Sequence, residues 1–227
     1  MKTVNNLDED APPPATLDVV SEKPGHSRDA SPDARCPRRA PRQEARKLDP
    51  ERSCRLLLEA ALDEFAAKGF AGARVQDIAD RAGVNKQLIA YYFGGKEGLW
   101  NELSRRWAER EASFNQPDAP LDEVMVHYLH DALDDPRGSR LNAWVGLTGG
   151  EPEAGREDLS DLERRKAAGE IGEELDTGAV LLLLMGAVAA PVVTPHMVRS
   201  VLGMDPQSPE FREFYTEQLR RIVRRLG

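Results

Sequence analysis

The chain has 227 residues and a formal net charge of -8, with 40% hydrophobic and 31% charged residues. This composition supports a buried core with charged helical surfaces, and it lacks alternating apolar runs bounded by hairpin turns, so we expect an all-α fold. The two cysteines form no C-x-x-C pair and lie beside no histidine cluster, which indicates neither a zinc site nor a disulfide framework.

The first 48 residues are rich in Pro, Asp, Ser and Ala and show almost no apolar periodicity. Such a composition buries too little apolar surface to offset the entropy of ordering, so residues 1–48 are predicted to be a disordered tail. The tail has no apolar region of the signal-peptide type. It ends in a basic arm at residues 35–47, which is either a solvated tail or a segment that lies along DNA phosphates.

A first helix is predicted to begin after Asp49, which can cap it, with Pro50 at the first helical position. Its apolar residues recur at helical spacing, and they are Leu57, Leu58, Ala61, Leu62 and Phe65. Gly69 is expected to end this helix, because glycine tolerates the left-handed conformation found at helix C-termini.

The next segment, residues 75–93, has the pattern of a helix-turn-helix. Gly83 stands where the tight turn between the two helices needs a positive φ angle, and Asn85 is a good cap for the second helix. The positions predicted to face inward are Val75, Ile78 and Ala79 in the first helix, and Ile89 and Phe93 in the second. A longer helix is predicted over residues 96–114.

The distal half is predicted to be helical at about 121–133, 140–147, 157–175, 177–190, 196–202 and 209–226. Gly146, Gly149 and Gly150 indicate a break that could serve as a gate. The longest apolar run, residues 179–193, contains Pro191 and has 15 residues. A membrane span needs roughly 18–20, so we expect a buried helix and a cytoplasmic protein.

Three elements stand in order at fixed spacing: LLLEAALDEFAAKGF from residue 56, VQDIADRAGV from residue 75 and YYFGGKEGL from residue 91. Together they resemble the DNA-binding region of TetR-type (tetracycline-repressor-like) transcriptional regulators, over about residues 52–103. The resemblance implies an N-terminal three-helix DNA-binding domain at 49–100 and a larger helical ligand-binding and dimerisation domain at 101–227.

The function implied by this resemblance is a homodimeric repressor without a cofactor. It would bind a palindromic double-stranded DNA operator and release it when a small-molecule effector binds to the distal domain. The dimer would form through the apolar helix around residues 181–185 and the final helix. A constitutive DNA-binding protein or an activator without a small-molecule ligand is the alternative, and a ligand-induced change in DNA affinity would separate the two.

The resemblance also makes the second helix of the motif the recognition helix. Lysine and glutamine can read base edges in the major groove, apolar side chains can touch a thymine methyl group, and phosphate contacts fix the register. Tyr92 and Lys96 match family positions that contact phosphate, and Arg74 can do the same. The residues predicted to contact DNA are Arg74, Asn85, Lys86, Gln87, Leu88, Ala90, Tyr91, Tyr92 and Lys96.

Two positions depart from the family pattern. The family usually has a tyrosine that touches DNA at the position of Ala90, so the base preference is expected to differ. It also usually has Thr or Ser near Ala73 and Arg74 as a helix cap. Neither residue can cap well, so this helix start is expected to be capped otherwise or to fray.

Four distal residues are candidate linings of a sensor pocket: Trp107, His127, Tyr128 and Trp144. Each is alternatively an ordinary core or surface residue. His127 and His130 are three residues apart on a helix, but no third ligand accompanies them, so no metal site is predicted. An enzyme is not indicated, because G-x-S-x-G, H-E-x-x-H and a Gly-rich phosphate loop after a strand are missing from the sequence.

Overall fold

The computed structural model describes residues 49–148 and 158–227, and these residues form ten α-helices. The first four are α1 (Pro50–Gly72), α2 (Val75–Ala82), α3 (Gln87–Phe93) and α4 (Lys96–Phe114). The others are α5 (Leu121–Asp134), α6 (Arg137–Thr148), α7 (Ser160–Ala167), α8 (Thr177–Val193), α9 (Pro195–Leu202) and α10 (Pro209–Val223). The all-α prediction is confirmed. The predicted disordered tail, the basic arm and the glycines at 149 and 150 lie outside the described residues.

Helix α1 begins as its sequence predicts. The Asp49 carboxylate accepts a hydrogen bond from the backbone N–H of Glu51 at 3.1 Å, and Pro50 occupies the first helical position. Gly69 has a φ angle of 70°, which interrupts the regular helix, although a further helical turn continues to Gly72. The predicted end of the helix is therefore a kink, which a residue with a Cβ atom would adopt only with strain.

Helices α1 to α4 enclose one hydrophobic core. Its fully buried members include Leu57, Ala61, Phe65, Ile78, Ala79, Ile89 and Leu99. The rings of Phe65, Phe70 and Trp100 meet edge to face or at a tilt, with centroids 5.2–5.8 Å apart. Cys54, which is also buried here, is disulfide-bonded. The expectation of no disulfide framework is therefore wrong at Cys54, since spacing along a sequence does not determine disulfide bonding.

A second core lies between α5, α7, α8 and α10, built from residues that include Leu129, Leu162, Ile171, Leu184, Leu219 and Val223. Beside it lies the fully buried guanidinium of Arg165. Arg165 forms ion pairs with Asp161 at 2.8 Å and Glu170 at 3.2 Å, and it donates to the carbonyl of Ala119 at 2.7 Å. These contacts join α7 to the loop that precedes α5.

The predicted helix at 157–175 is wrong in length, because α7 ends at Ala167. Gly169 adopts a φ angle of 83°, and the N–H of Glu170 donates to the carbonyl of Arg165 at 3.0 Å, which turns the chain. The turn allows Glu170 to reach the buried Arg165 and allows Ile171 to enter the second core. The final helix also ends earlier than predicted, at Val223.

Among the described residues, no single helix is both long and apolar enough to cross a membrane. Helices α8 and α9 reach that length and apolar character only as a pair, and they are bent by 91° at their junction.

Candidate nucleic-acid interface

The turn between α2 and α3 has the predicted local chemistry. Gly83 adopts a φ angle of 66°, and the N–H of Val84 donates to the carbonyl of Ala79 at 3.1 Å. The side-chain oxygen of Asn85 accepts from the N–H of Gln87 at 2.8 Å, so Asn85 caps the first residue of α3. The positive φ angle and the capping role are both confirmed, and they set the direction in which α3 leaves the turn.

The inward face of α3 differs in one residue from the prediction. Ile89 is fully buried as expected, but the second buried residue is Tyr92, whereas Phe93 is only partly buried. Residues three and four positions apart share a helix face, so the periodicity alone did not decide between them. Burial raises the pKa of Tyr92, with smaller contributions from Tyr91 and Asp49, so its hydroxyl group stays protonated.

The outward face of α3 carries most of the predicted DNA-contacting residues. Asn85, Lys86, Gln87, Ala90 and Tyr91 are all exposed, and Leu88 is half-buried beside them. Arg74 is also exposed, at the start of α2. Within the described part of the chain, neither Lys86 nor Arg74 forms a hydrogen bond or ion pair through its side chain. Among the described residues, this surface therefore presents two cations, Lys86 and Arg74, whose side chains have no polar protein partner.

Lys96 has a structural role in addition to its predicted phosphate contact. Its ammonium group donates to the carbonyl of Phe70 at 2.8 Å and to that of Ala73 at 3.2 Å, and it lies 4.4 Å from the centroid of the Phe70 ring. Lys96 therefore ties the start of α4 to the connection between α1 and α2. One of its three N–H donors remains for another acceptor.

An ion-pair cluster, Glu64, Lys68, Asp77 and Arg81, holds α2 against α1. The buried Glu64 carboxylate lies 2.6 Å from Lys68 and 2.9 Å from Arg81, and Lys68 also reaches Asp77 at 2.8 Å. The hydrogen bond from Lys68, with a further one from Arg81, lowers the pKa of Glu64 despite its burial. The same Lys68 lowers the pKa of Asp77. This cluster was not predicted, because its partners on the two helices are up to 17 residues apart.

Helix α2 begins without a side-chain cap, as the sequence analysis expected from Ala73 and Arg74. The backbone of Arg74 is extended, and its carbonyl accepts from the N–H of Ile78 at 3.1 Å. The N–H groups of the first turn have no side-chain acceptor within the described residues. Such N–H groups, together with the positive end of the helix dipole, favour an anion at this position.

The four candidate pocket residues do not surround one cavity. His127 is exposed and its ring stacks on Phe114 with centroids 4.2 Å apart, while Tyr128 meets the same Phe114 edge to face at 4.8 Å. The Tyr128 hydroxyl donates to Glu111. The pKa of Tyr128 is raised, mainly by its burial and to a smaller extent by this hydrogen bond. Trp107 is exposed on α4.

Trp144 lies elsewhere, between α6 and α1. Its indole N–H donates to the carbonyl of Ala66 at 3.2 Å. His130 is hydrogen-bonded to Thr216 at 3.0 Å, so it has a different partner from His127. Across residues 49–148 and 158–227, no group of three or more His, Cys, Asp or Glu side chains could hold a metal ion.

Comparison with known proteins identifies the helix-turn-helix region. The family described as "Bacterial regulatory proteins, tetR family" matches residues 57–103. The HTH-type transcriptional repressor SCO4008 of Streptomyces coelicolor is 32% identical over 192 residues, which is 78% of this chain and 98% of that protein. The HTH-type transcriptional regulator RutR of Escherichia coli K12 is 36% identical over 100 residues, covering 41% of this chain and 47% of RutR.

A solved structure also agrees in fold. The crystal structure of SCO4942 from Streptomyces coelicolor superposes with a TM-score of 0.57 at 24% identity, covering 75% of this chain and 97% of that one. The fold, the helix-turn-helix match and the near full-length similarity to SCO4008 agree with one another. The chain belongs to the TetR family of DNA-binding transcriptional regulators.

Proposed function

We propose that this protein is a homodimeric repressor that acts in the cytoplasm, binds a palindromic operator and releases it when a small molecule binds. The relative SCO4008 is named a transcriptional repressor, and we extend that role to this chain. The observation that carries the proposal is the outward face of α3. This face is exposed and lies opposite the buried Ile89 and Tyr92, and within the described residues the side chains of Lys86 and Gln87 on it have no hydrogen-bond partner.

In this proposal the outward face of α3 lies in the major groove. Lys86 and Gln87 stand at the start of the helix, where side chains of a recognition helix reach base edges. Lys86 can donate to a purine acceptor, and Gln87 can both donate to and accept from a purine. Ala90 offers only a methyl group, which suits contact with a thymine methyl, and Leu88 flanks it. Tyr91 extends the same face. Ala90 therefore makes an apolar contact with a base and no hydrogen bond to it.

Phosphate contacts would fix the register of α3. Arg74 stands at the uncapped start of α2, so its guanidinium and the free N–H groups of that turn can hold one phosphate together. The Tyr92 ring is buried, but its hydroxyl has no hydrogen-bond partner within the described residues and can donate to a second phosphate. Lys96 has one remaining N–H donor, which can contact a phosphate of the same DNA strand.

Dimerisation is proposed through α8 and α10. The Tyr215 hydroxyl donates to the carbonyl of Ala187 at 2.8 Å, which joins the two helices. Beside this contact lies an open apolar groove of about 270 Å3, and two of its lining residues, Leu183 and Ile222, are 72% and 58% exposed. A large exposed apolar surface marks an interaction site, and a two-fold axis lets the same surface of a second copy cover it.

The DNA-binding proposal is tested by fluorescence anisotropy with DNA from upstream of the protein's own gene. Gln87→Ala should change the base preference at one position of each half-site, worth about 1–3 kcal/mol. The matched control is Gln207→Ala, which removes an exposed glutamine from the loop before α10 and should leave binding unchanged. If Gln87→Ala binds every sequence as the wild type and the control do, the base contact assigned to Gln87 on α3 is wrong.

The dimer is tested by sedimentation velocity of the full chain. Leu183→Glu and Ile222→Glu each place a carboxylate in the proposed interface and should convert the dimer to a monomer at micromolar concentration. Leu147→Glu is the control, because Leu147 is 82% exposed on α6 and lies outside this groove. Dimers that persist in both groove variants would place the interface on another surface.

A further inference from the structure

A second concavity lies where α1 and α6 meet the junction of α8 and α9. Its volume is about 270 Å3, slightly below the usual range of ligand pockets of about 300–1,000 Å3. We call it the junction cleft, and its lining includes Ala66, Arg140, Trp144, Leu147, Val192 and Val193. Arg140 is the one charged residue in the lining. The cleft thus combines a small apolar volume with a single cation.

The Arg140 guanidinium makes no hydrogen bond or ion pair within the described part of the chain. Its neighbour one helical turn earlier differs sharply. Arg137 forms ion pairs with Glu59 and Asp63 at 2.9 Å and with Asp135 at 2.7 Å. Arg137 therefore pairs with Glu59, Asp63 and Asp135, and among the described residues the Arg140 guanidinium has no acidic partner. A guanidinium prefers a planar two-oxygen partner, that is, a carboxylate.

The aromatic wall of the junction cleft is held in place. The Trp144 N–H donates to the Ala66 carbonyl, and the indole ring packs on Gly69, where an added Cβ atom would lie 3.6 Å from the ring. The indole orientation is therefore fixed by α1 itself, immediately before the kink that leads into the helix-turn-helix. Val192 and Val193 form the aliphatic wall at the end of α8. The cleft therefore has an aromatic and an aliphatic side, and both suit contact with an apolar group.

We propose that the junction cleft binds a small monocarboxylate with an aryl or short alkyl body. The carboxylate pairs with Arg140, and the apolar body lies against Trp144 and the α8 valines. Because Ala66 belongs to α1 whereas the other walls belong to α6, α8 and α9, an occupant contacts the helix that supports the DNA-binding core and the distal helices at once. Resting on the proposed repressor function, we infer that occupancy lowers operator affinity by favouring a different α1–α6 arrangement.

The binding step is tested with benzoate and its neutral isostere benzamide, followed by calorimetry and Trp fluorescence on the full chain. The wild type should bind benzoate saturably and benzamide at least about tenfold more weakly, because benzamide lacks the charge that Arg140 recognises. Arg140→Gln should weaken benzoate binding by about the same factor. Arg225→Gln, which removes an exposed arginine at the end of the chain, should leave it unchanged.

A second variant tests the location independently. Leu147→Glu places a carboxylate in the lining of the junction cleft, so it should weaken benzoate binding more than benzamide binding, because only benzoate is repelled by the new charge. Benzoate binding that is absent in the wild type, equal to that of benzamide, or unaffected by Arg140→Gln overturns the proposal.

Operator binding separates this inference from the proposed function. Saturating benzoate should release the wild type from its operator and leave Arg140→Gln bound at the same concentration. If the protein binds its operator but benzoate fails to bind through Arg140, the cleft inference is overturned and the repressor proposal stands. If benzoate binds through Arg140 without changing operator affinity, the inferred coupling is overturned. If no operator is bound at all, the proposed function fails whatever benzoate does.

Discussion

Replacing the buried carboxylate of Glu64 tests how the DNA-binding domain is held together. The Glu64 side chain is 4% exposed, and its two cationic partners are attached to different helices, Lys68 to α1 and Arg81 to α2. Glu64→Gln keeps the shape of the side chain but removes its charge and turns an N–H₂ group toward one of the two cations. The change therefore acts on the contact between α1 and α2 without creating a cavity.

The expected loss of stability in Glu64→Gln depends on the burial of Glu64 and on the exposure of its two cationic partners. Breaking a fully buried ion pair costs about 3–5 kcal/mol, and one hydrogen bond to a charged group contributes about 1.5–3 kcal/mol. Lys68 and Arg81 are 44% and 48% exposed, so water already screens part of the attraction. We expect Glu64→Gln to reduce the free energy of unfolding by about 2 kcal/mol, which lowers Tm by about 4–8 °C in a chain of this size.

The pH dependence of the free energy of unfolding gives a second, independent test of the role of Glu64. The folded-state pKa of Glu64 is lowered, first by its hydrogen bond with Lys68, so its contribution to stability is present above the unfolded-state pKa of about 4.3. That contribution is lost as the pH falls through the lowered folded-state pKa. The stability difference between wild type and Glu64→Gln should therefore be largest near neutral pH and shrink in acid.

Thermal and urea unfolding followed by circular dichroism measures both effects. Glu213→Gln is the matched control, because Glu213 is an exposed glutamate on α10 whose side chain has no partner within the described residues. It should change Tm by no more than about 1–2 °C. A loss in Glu64→Gln that equals this control, or that does not shrink in acid, refutes the role assigned to the cluster.

Three further changes probe the DNA-binding domain and the buried arginine. Arg74→Ala should weaken binding to all DNA sequences alike and reduce the salt-dependence slope by about 1, measured by anisotropy titrations at several salt concentrations. Lys96→Met should lower the free energy of unfolding by about 1–2 kcal/mol in urea titrations, because two carbonyl groups and the Phe70 ring lose their cation. Arg165→Met should cost about 3 kcal/mol in the same assay, since Asp161 and Glu170 lose a fully buried partner. An unchanged unfolding midpoint in either of the last two variants contradicts these contacts.

The parts of the fold that could be predicted depend on local chemistry. A glycine in a tight turn, as at Gly83, and a capping side chain, as at Asn85, act within three or four residues, so the printed sequence contains both partners. The same holds for the start of α1 at Asp49 and Pro50, and for the bounds of α4. Apolar periodicity likewise located Ile78 and Ile89 in the core, because a helix face repeats at fixed intervals.

The parts that could not be predicted depend on which helices meet. The sequence shows that Lys96 is a cation, but not that the Phe70 and Ala73 carbonyls lie within its reach. It shows a helix-forming run after residue 160, yet α7 ends early, because a turn at Gly169 brings Glu170 to the buried Arg165. The Lys96 contacts join residues 26 and 23 positions apart, and the turn at Gly169 also brings Ile171 into the second core. Such packing outweighs the local preference, and a single sequence does not contain that information.

The negative net charge of the chain is compatible with DNA binding, because interactions between exposed charges are largely screened beyond a Debye length of about 8 Å at physiological salt. Residues 85–93, which include all of α3, contain no acidic residue. The nearest acidic groups on α2 are engaged: Asp77 pairs with Lys68, and Asp80 accepts from the Gln76 amide at 2.7 Å. Within the described residues, the side chains of Lys86 and Arg74 form no ion pair, so they contribute positive charge to this surface. Most of the negative charge lies beyond residue 110, where 12 basic residues face 21 acidic ones. If α3 is the recognition helix, as proposed above, this uneven charge distribution disfavours approach to DNA by the acidic distal half and favours approach by α3.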